Sequence, residues 1–232
     1  MIRELQDWLE GTFLAASDPT LLRGISEGVT LGDSVMESEA LFRTPVGRDL
    51  RGHVRRAAIM FRVQDMCLRG ELPFEADMPS MPIGSWHHLE LRPAPSVFAY
   101  ICRTEGPLAF PKDTPNRQHE RLISQPDLLA VLEDNVVPIR AVMEAPEAKC
   151  VWLTYGIGEN GAVSHLCWGM PTSPVENEGW LAHLNILARL QRTGRNETPR
   201  PRPVDPTVVL RFREEIQVEL NRTDRQIGQQ ED

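Results

Sequence analysis

The side chains best able to do chemistry in this chain form two groups, one cationic and one of histidine and carboxylate. Arg48, Arg55, Arg62 and Arg69 recur every seven residues, with Arg51 about a turn from the first. On a helix this spacing places all five on one face, at intervals of roughly 10 Å. Guanidinium groups pair bidentately with phosphate, so such a ridge suits a nucleic-acid backbone or another anionic surface. A solvated face whose arginines pair with the chain's own carboxylates competes with that expectation.

The second group is His88-x-Glu90, on a predicted strand that aims both side chains the same way about 7 Å apart. That geometry suits a metal ion or general acid–base exchange. Further groups would come from the proline-rich stretch that follows, which carries Asp113, His119 and Glu120. Ordinary exposed polar residues are the competing expectation, and His87 is expected to face the core. Three other patterns carry less. Glu147-Ala-Lys149 has the acidic-x-lysine form of metal-dependent nucleases, but it follows Glu144-Ala-Pro146 and reads as a turn, while Glu90-Leu91-Arg92 has arginine where lysine belongs. Gly156-x-Gly158-x-x-Gly161 copies a dinucleotide fingerprint but precedes a strand instead of a helix, which makes it turn chemistry. His165 and Cys167 share a strand face but lack an orienting acid. No motif calls for a cofactor.

The bulk composition bounds what these groups can do. A net charge of −8 argues against nucleic-acid binding by the whole surface, yet Arg43 to Arg69 carries seven arginines against only Asp49 and Asp65. A hydrophobic fraction of 41% and a charged fraction of 25% are those of a globular protein. No stretch approaches the ~20 apolar residues that span a bilayer, and Glu4, Asp7 and Glu10 stand where a signal peptide would be basic, so a cytoplasmic protein is expected. Cys67, Cys102, Cys150 and Cys167 have no zinc-type spacing and are expected to be buried free thiols.

The elements that must position these residues follow from hydrophobic period. Ile2, Leu5, Leu9 and Phe13 mark an opening helix, and Asp18-Pro19 closes it and caps another. Gly24, Gly28 and Gly32 read as turns or helix ends, because Glu27 rules out a membrane dimer motif. Leu50, Val54, Ala57, Phe61 and Leu68 predict one helix over Val46 to Arg69, stopped at Gly70. Trp86–Arg92 and Val97–Arg103 predict a hairpin in which Arg92 faces Val97. Cys150–Gly169 predicts a second, with a type I′ turn at Asn160-Gly161 and with Val151, Leu153, Tyr155, Leu166 and Trp168 on one face. Residues 104–125 predict a functional or covering loop, and Ser124-Gln-Pro-Asp the start of a helix over Leu128–Glu133. Trp180, Leu181, Leu184, Leu187 and Ala188 predict a helix, 193–206 a Pro/Arg-rich linker, and 207–232 a last helix with a disordered tail.

The fold expected is therefore α+β: N-terminal helices, two antiparallel hairpins in one sheet, and C-terminal helices, with residues 1–192 as one domain. The function expected is a non-enzymatic binding or regulatory component that engages nucleic acid or a protein partner through the arginine face. A metal-dependent hydrolase or nuclease built on His88, Glu90 and loop 104–125 is the alternative.

Overall fold

The structure is a computed structural model that describes residues 2–81, 83–84, 86–124, 148–174 and 178–192. The helix expected over Leu128–Glu133, Glu147, the linker and the C-terminal helix lie outside the described residues. The chain divides into two compact units, with boundaries at Leu22/Arg23 and Val63/Gln64.

The helical unit holds α2 (Asp18–Ser38) from Arg23 onward, a 3-10 turn (Ala40–Arg43), α3 (Pro45–Asp49) and α4 (Arg51–Leu68) as far as Val63. The expected single helix over Val46 to Arg69 is thus corrected to two. Thr44 caps α3, its hydroxyl accepting from the Gly47 N–H at 3.1 Å ahead of Pro45 at the first helical position, and Leu50 ends it. The helix breaks there, and the expected stripe shifts. Leu50 and Leu68 are exposed, while Ala58, Ile59, Phe61 and Val63 are buried. Leu31 and Val35 of α2 pack on Ala58 and Phe61 of α4. Gly28 and Gly32 are also corrected, because they lie inside α2 and not at its ends. A Cβ on Gly28 would stand 2.5 Å from Ile59 Cα, and one on Gly32 2.9 Å from Arg55 Cα. Glycine at these two positions is what lets the helices approach so closely. The expected stop of α4 holds: Gly70 adopts φ 71°, and its N–H and that of Glu71 donate to Cys67 and Met66 carbonyls.

The sheet unit holds α1 (Ile2–Thr12), β1 (Glu75–Asp77), β2 (Glu90–Ala94), β3 (Val97–Arg103), α5 (Pro115–Leu122), β4 (Lys149–Ile157), β5 (Val163–Pro171), β6 (Trp180–Asn185) and α6 (Ile186–Arg192). Its six strands lie in sequence order. All neighbours are antiparallel except β3 and β4, which run parallel. The α+β class and the flanking helices are as expected, but the two hairpins belong to one mixed sheet. A parallel pair needs a crossover, and residues 104–148 supply it.

Both sheet faces are covered. On one, Trp168 stacks on Phe13 at 3.9 Å, with Phe74 edge-on to both rings. On the other, Phe98, Tyr100, Cys102, Cys150 and Trp152 pack under Phe110, Leu122 and Ile123 of the crossover. A buried ion pair holds α6, with Arg189 Nε donating to Asp18 Oδ2 at 2.6 Å. Burial pushes the Asp18 carboxyl up, and the guanidinium opposes that shift.

Three expectations inside the sheet resolve differently. The β4–β5 pairing is as read, Leu153 facing Trp168 and Tyr155 facing Leu166, but the turn is not type I′. Type I′ needs positive φ at both central residues, and only Gly161 has it, at 77°. A bulge between Gly156 and Ile157 absorbs the difference. In the first hairpin Leu91 faces Ala99 and Ala94 faces Val97, so the expected Arg92–Val97 register slips by a residue. Trp180 to Asn185 is a strand, and the expected helix begins only at Ile186.

Candidate functional site

The slip in the first hairpin decides the fate of His88 and Glu90. A shift of one residue carries a side chain to the opposite face. Glu90 therefore lies with Tyr100 beneath the crossover, and both His88 and Glu90 are buried, not on an open surface. Glu90 Oε1 accepts from Arg92 Nε at 2.7 Å, and Oε2 from the Tyr100 hydroxyl at 3.1 Å. His88 stands edge-on to Tyr100 at 5.0 Å. His87 is only half-buried and meets Ser80 Oγ at 3.3 Å, so it is not a core residue.

The partners expected from the crossover are engaged separately. Asp113 Oδ2 accepts from Gln118 at 2.8 Å, and His119 sits on α5, where burial lowers its pKa. Glu120 acts on the same Tyr100 hydroxyl as Glu90. It accepts from Trp152 Nε1 at 2.8 Å, and it joins burial, Cys150 and Glu90 in holding the Tyr100 phenol well above its ordinary pKa. Among the described residues no group of three or more His, Cys, Asp and Glu side chains is arranged to hold a metal ion.

The arginine ridge is largely committed within the chain. Arg55 forms a two-bond pair with Asp33, 2.7 Å at each bond, and Arg62 pairs with Glu27 at 2.5 Å. Arg69 pairs with Asp65 at 2.7 Å and Glu71 at 3.3 Å. Arg48, on α3, and Arg51, at the start of α4, are exposed and have no carboxylate partner among the described residues.

The feature that sequence reading missed is a cleft of 720 Å³ at the carboxyl ends of β3 and β4. Arg103, Thr104 and Glu105 reach it from the end of β3, Gly156 and Ile157 from the end of β4, and Ser164 from the start of β5. Ala109, Phe110, Pro111 and Lys112 of the crossover form the facing wall. Arg121 fixes that wall from behind, donating to the Thr172 carbonyl at 2.7 Å and to that of Ser173, with its guanidinium 5.2 Å from the Phe110 ring centre. The indole N–H of Trp180 donates to the Leu108 carbonyl at 3.1 Å.

Beneath the cleft lies a buried imidazole between two hydroxyls. His165 Nε2 is 2.8 Å from Thr104 Oγ1, and Nδ1 is 3.2 Å from Ser164 Oγ. Gly156 makes room for this arrangement, because a Cβ there would stand 2.1 Å from the His165 ring. Burial, then the neighbouring His183 ring, lowers the His165 pKa and keeps the imidazole neutral near pH 7. Burial pushes the thiol of Cys167 beside it up to about 11, which disfavours the thiolate that a nucleophile needs. All four cysteines are buried and free, as expected. The one signal in the sequence was the local Ser164-His165 pair. The rest of the cleft joins residues up to 61 positions apart, which no local period reveals.

No family model, curated protein or solved structure matches this chain, so the reading of function rests on its own residues. No described helix is long and apolar enough to cross a membrane.

Proposed function

We propose that the protein is a non-enzymatic binding component that receives its ligand in the cleft at the ends of β3 and β4. One observation carries the reading: Arg103, Glu105 and Lys112 line a single cavity, and none has an ionic partner among the described residues. A cleft within the ~300–1,000 Å³ range of ligand pockets, part apolar and part polar, is what small ligands occupy. Its position also supports the reading, because loops leave the ends of parallel strands on one side and enclose a crevice there. That last argument is one of architecture by analogy.

The test is a titration with amino acids, nucleotides and short peptides, followed by the fluorescence of Trp180, which is bonded to the crossover wall. A binder should slow amide exchange in 103–112 and 156–164, and Ala109→Trp, which fills the mouth, should abolish its effect. Binding that survives Ala109→Trp would place the seat elsewhere.

A second reading keeps nucleic acid or an acidic protein as partner. What favours it is that Arg48 and Arg51 are exposed beside the exposed apolar Leu41, Val46 and Leu50. Replacing both arginines with Glu should then remove a salt-sensitive complex with single-stranded DNA or an acidic peptide. If the unaltered protein binds neither at low salt, the reading fails. The metal-dependent hydrolase has only the sequence behind it. It requires a divalent metal retained on purification and an activity lost in His88→Ala.

A further inference from the structure

The cleft's charges and hydroxyls narrow the chemistry of its ligand, on the premise that the cleft is the ligand seat. Arg103 and Lys112 bring two positive charges against the single carboxylate of Glu105, so one positive charge is left over in a chain that is otherwise acidic. Two cations against one carboxylate suit a small anion of one or two charges, or a zwitterion, better than a polyanion, which Glu105 would repel. Phe110, Ile157, Ala109 and Pro111 add apolar wall, which favours a ligand with an apolar or aromatic body.

The hydroxyls add a directional element. A neutral imidazole has one N–H donor and one acceptor nitrogen. Whichever of Thr104 and Ser164 faces the acceptor nitrogen gives its proton to the ring. The other accepts the ring N–H and keeps its own proton free. Both residues line the cleft, so in either tautomer one hydroxyl remains able to donate into it.

We propose that the cleft binds a small amphipathic anion, a carboxylate or phosphate ester, with Arg103 and Lys112 pairing its charge and one hydroxyl of the Thr104–His165–Ser164 relay donating to it. Recognition is redundant at the hydroxyls and not at the cations. Loss of a single hydroxyl lets the ring adopt the tautomer that frees the other.

The experiment uses benzoate, phenyl phosphate and neutral benzamide as probes of the full chain, with affinities from calorimetry and folding checked by thermal unfolding. Either anion should bind at least tenfold more tightly than benzamide, and the preferred one tells carboxylate from phosphate. Arg103→Gln and Lys112→Gln should each weaken the bound anion about tenfold and leave benzamide unchanged. Thr104→Val and Ser164→Ala should each weaken it less than threefold, but together about tenfold. Equal binding of benzamide and both anions would overturn the anion class while leaving the cleft as a seat. So would no binding of either anion by a protein that still binds another ligand in the Ala109→Trp-sensitive way. Loss on blocking the mouth of every response, to these probes and the wider titration alike, supports the seat. A double variant that binds like the unaltered protein would overturn the hydroxyl relay.

Discussion

The contact between α2 and α4 and the cleft at the ends of β3 and β4 treat charge in opposite ways. Along α4, Arg55 and Arg62 meet Asp33 and Glu27 of α2 at hydrogen-bonding distance, in a contact that Gly28 and Gly32 bring close. At the ends of β3 and β4, Arg103, Glu105 and Lys112 share a cavity and pair with nothing described. A dense basic run is therefore a poor guide to available charge. Arginines on a helix packed against an acidic one are bound to be drawn into pairs, whereas charges on loops that leave a sheet are not held near one another.

This contrast can be broken most forcefully at Glu27. Glu27→Ala would break the half-buried pair that Arg62 makes with it at 2.5 Å, and unfolding in urea should show a loss of about 3 kcal/mol. If the loss is near zero, the ridge is not committed to α2 and is open to a partner after all. Next comes Gly28→Ala, whose new methyl meets Ile59 backbone and not a movable side-chain end. About 2 kcal/mol should be lost, measured the same way, and a loss under ~0.5 kcal/mol would mean that the helices separate easily.

Titration sharpens the sheet side. Burial lowers the pKa of His119, His165 and His183 below the ordinary value of 6.5. Below that value the unfolded chain binds more protons than the folded one, so stability is complete above about pH 6.5 and falls as pH drops through the lowered values. The urea midpoint should decline from pH 7 to 5, and His183→Gln should flatten that decline. A midpoint that rises with acidity would contradict the burial of these rings. The smallest effect is expected where charges have no partner: Arg103→Gln and Lys112→Gln should each leave stability within about 0.5 kcal/mol. A larger loss would show that these cations hold the fold.

The sequence was most legible where two local signals agreed. Apolar alternation in Val151 to Tyr155 and the glycine-bearing turn at 158–161 set the β4–β5 register, and even the wrong turn type left it intact because a bulge restored the pairing. In the first hairpin Pro93 was taken as part of a turn, whereas β2 continues through it to Ala94. That single misplacement carried Glu90 from the solvent face to the covered one. Trp180 to Asn185 fits a helical as well as an alternating period, and no proline or glycine separates that strand from α6. The arginine spacing runs across a helix break, with Arg48 on α3 and Arg55 and Arg62 on α4, and the acidic partners of the latter two lie 22 and 35 residues upstream, where only tertiary packing brings them close. The cleft was illegible for the same reason, since its hydroxyls and imidazole come from the start of the crossover and from β5.

The parallel pairing of β3 with β4 also orders events in time. During synthesis β3 is complete at Arg103, but its partner edge arrives only with Lys149 to Tyr155. At roughly 5–20 residues per second the ribosome leaves that edge without its neighbour for a few seconds. An unpaired apolar edge invites pairing with another chain, so this interval is when aggregation threatens. The cleft takes its floor from both strands and is completed only after the pairing closes. A ligand that fits it therefore recognises the finished molecule and not the nascent one.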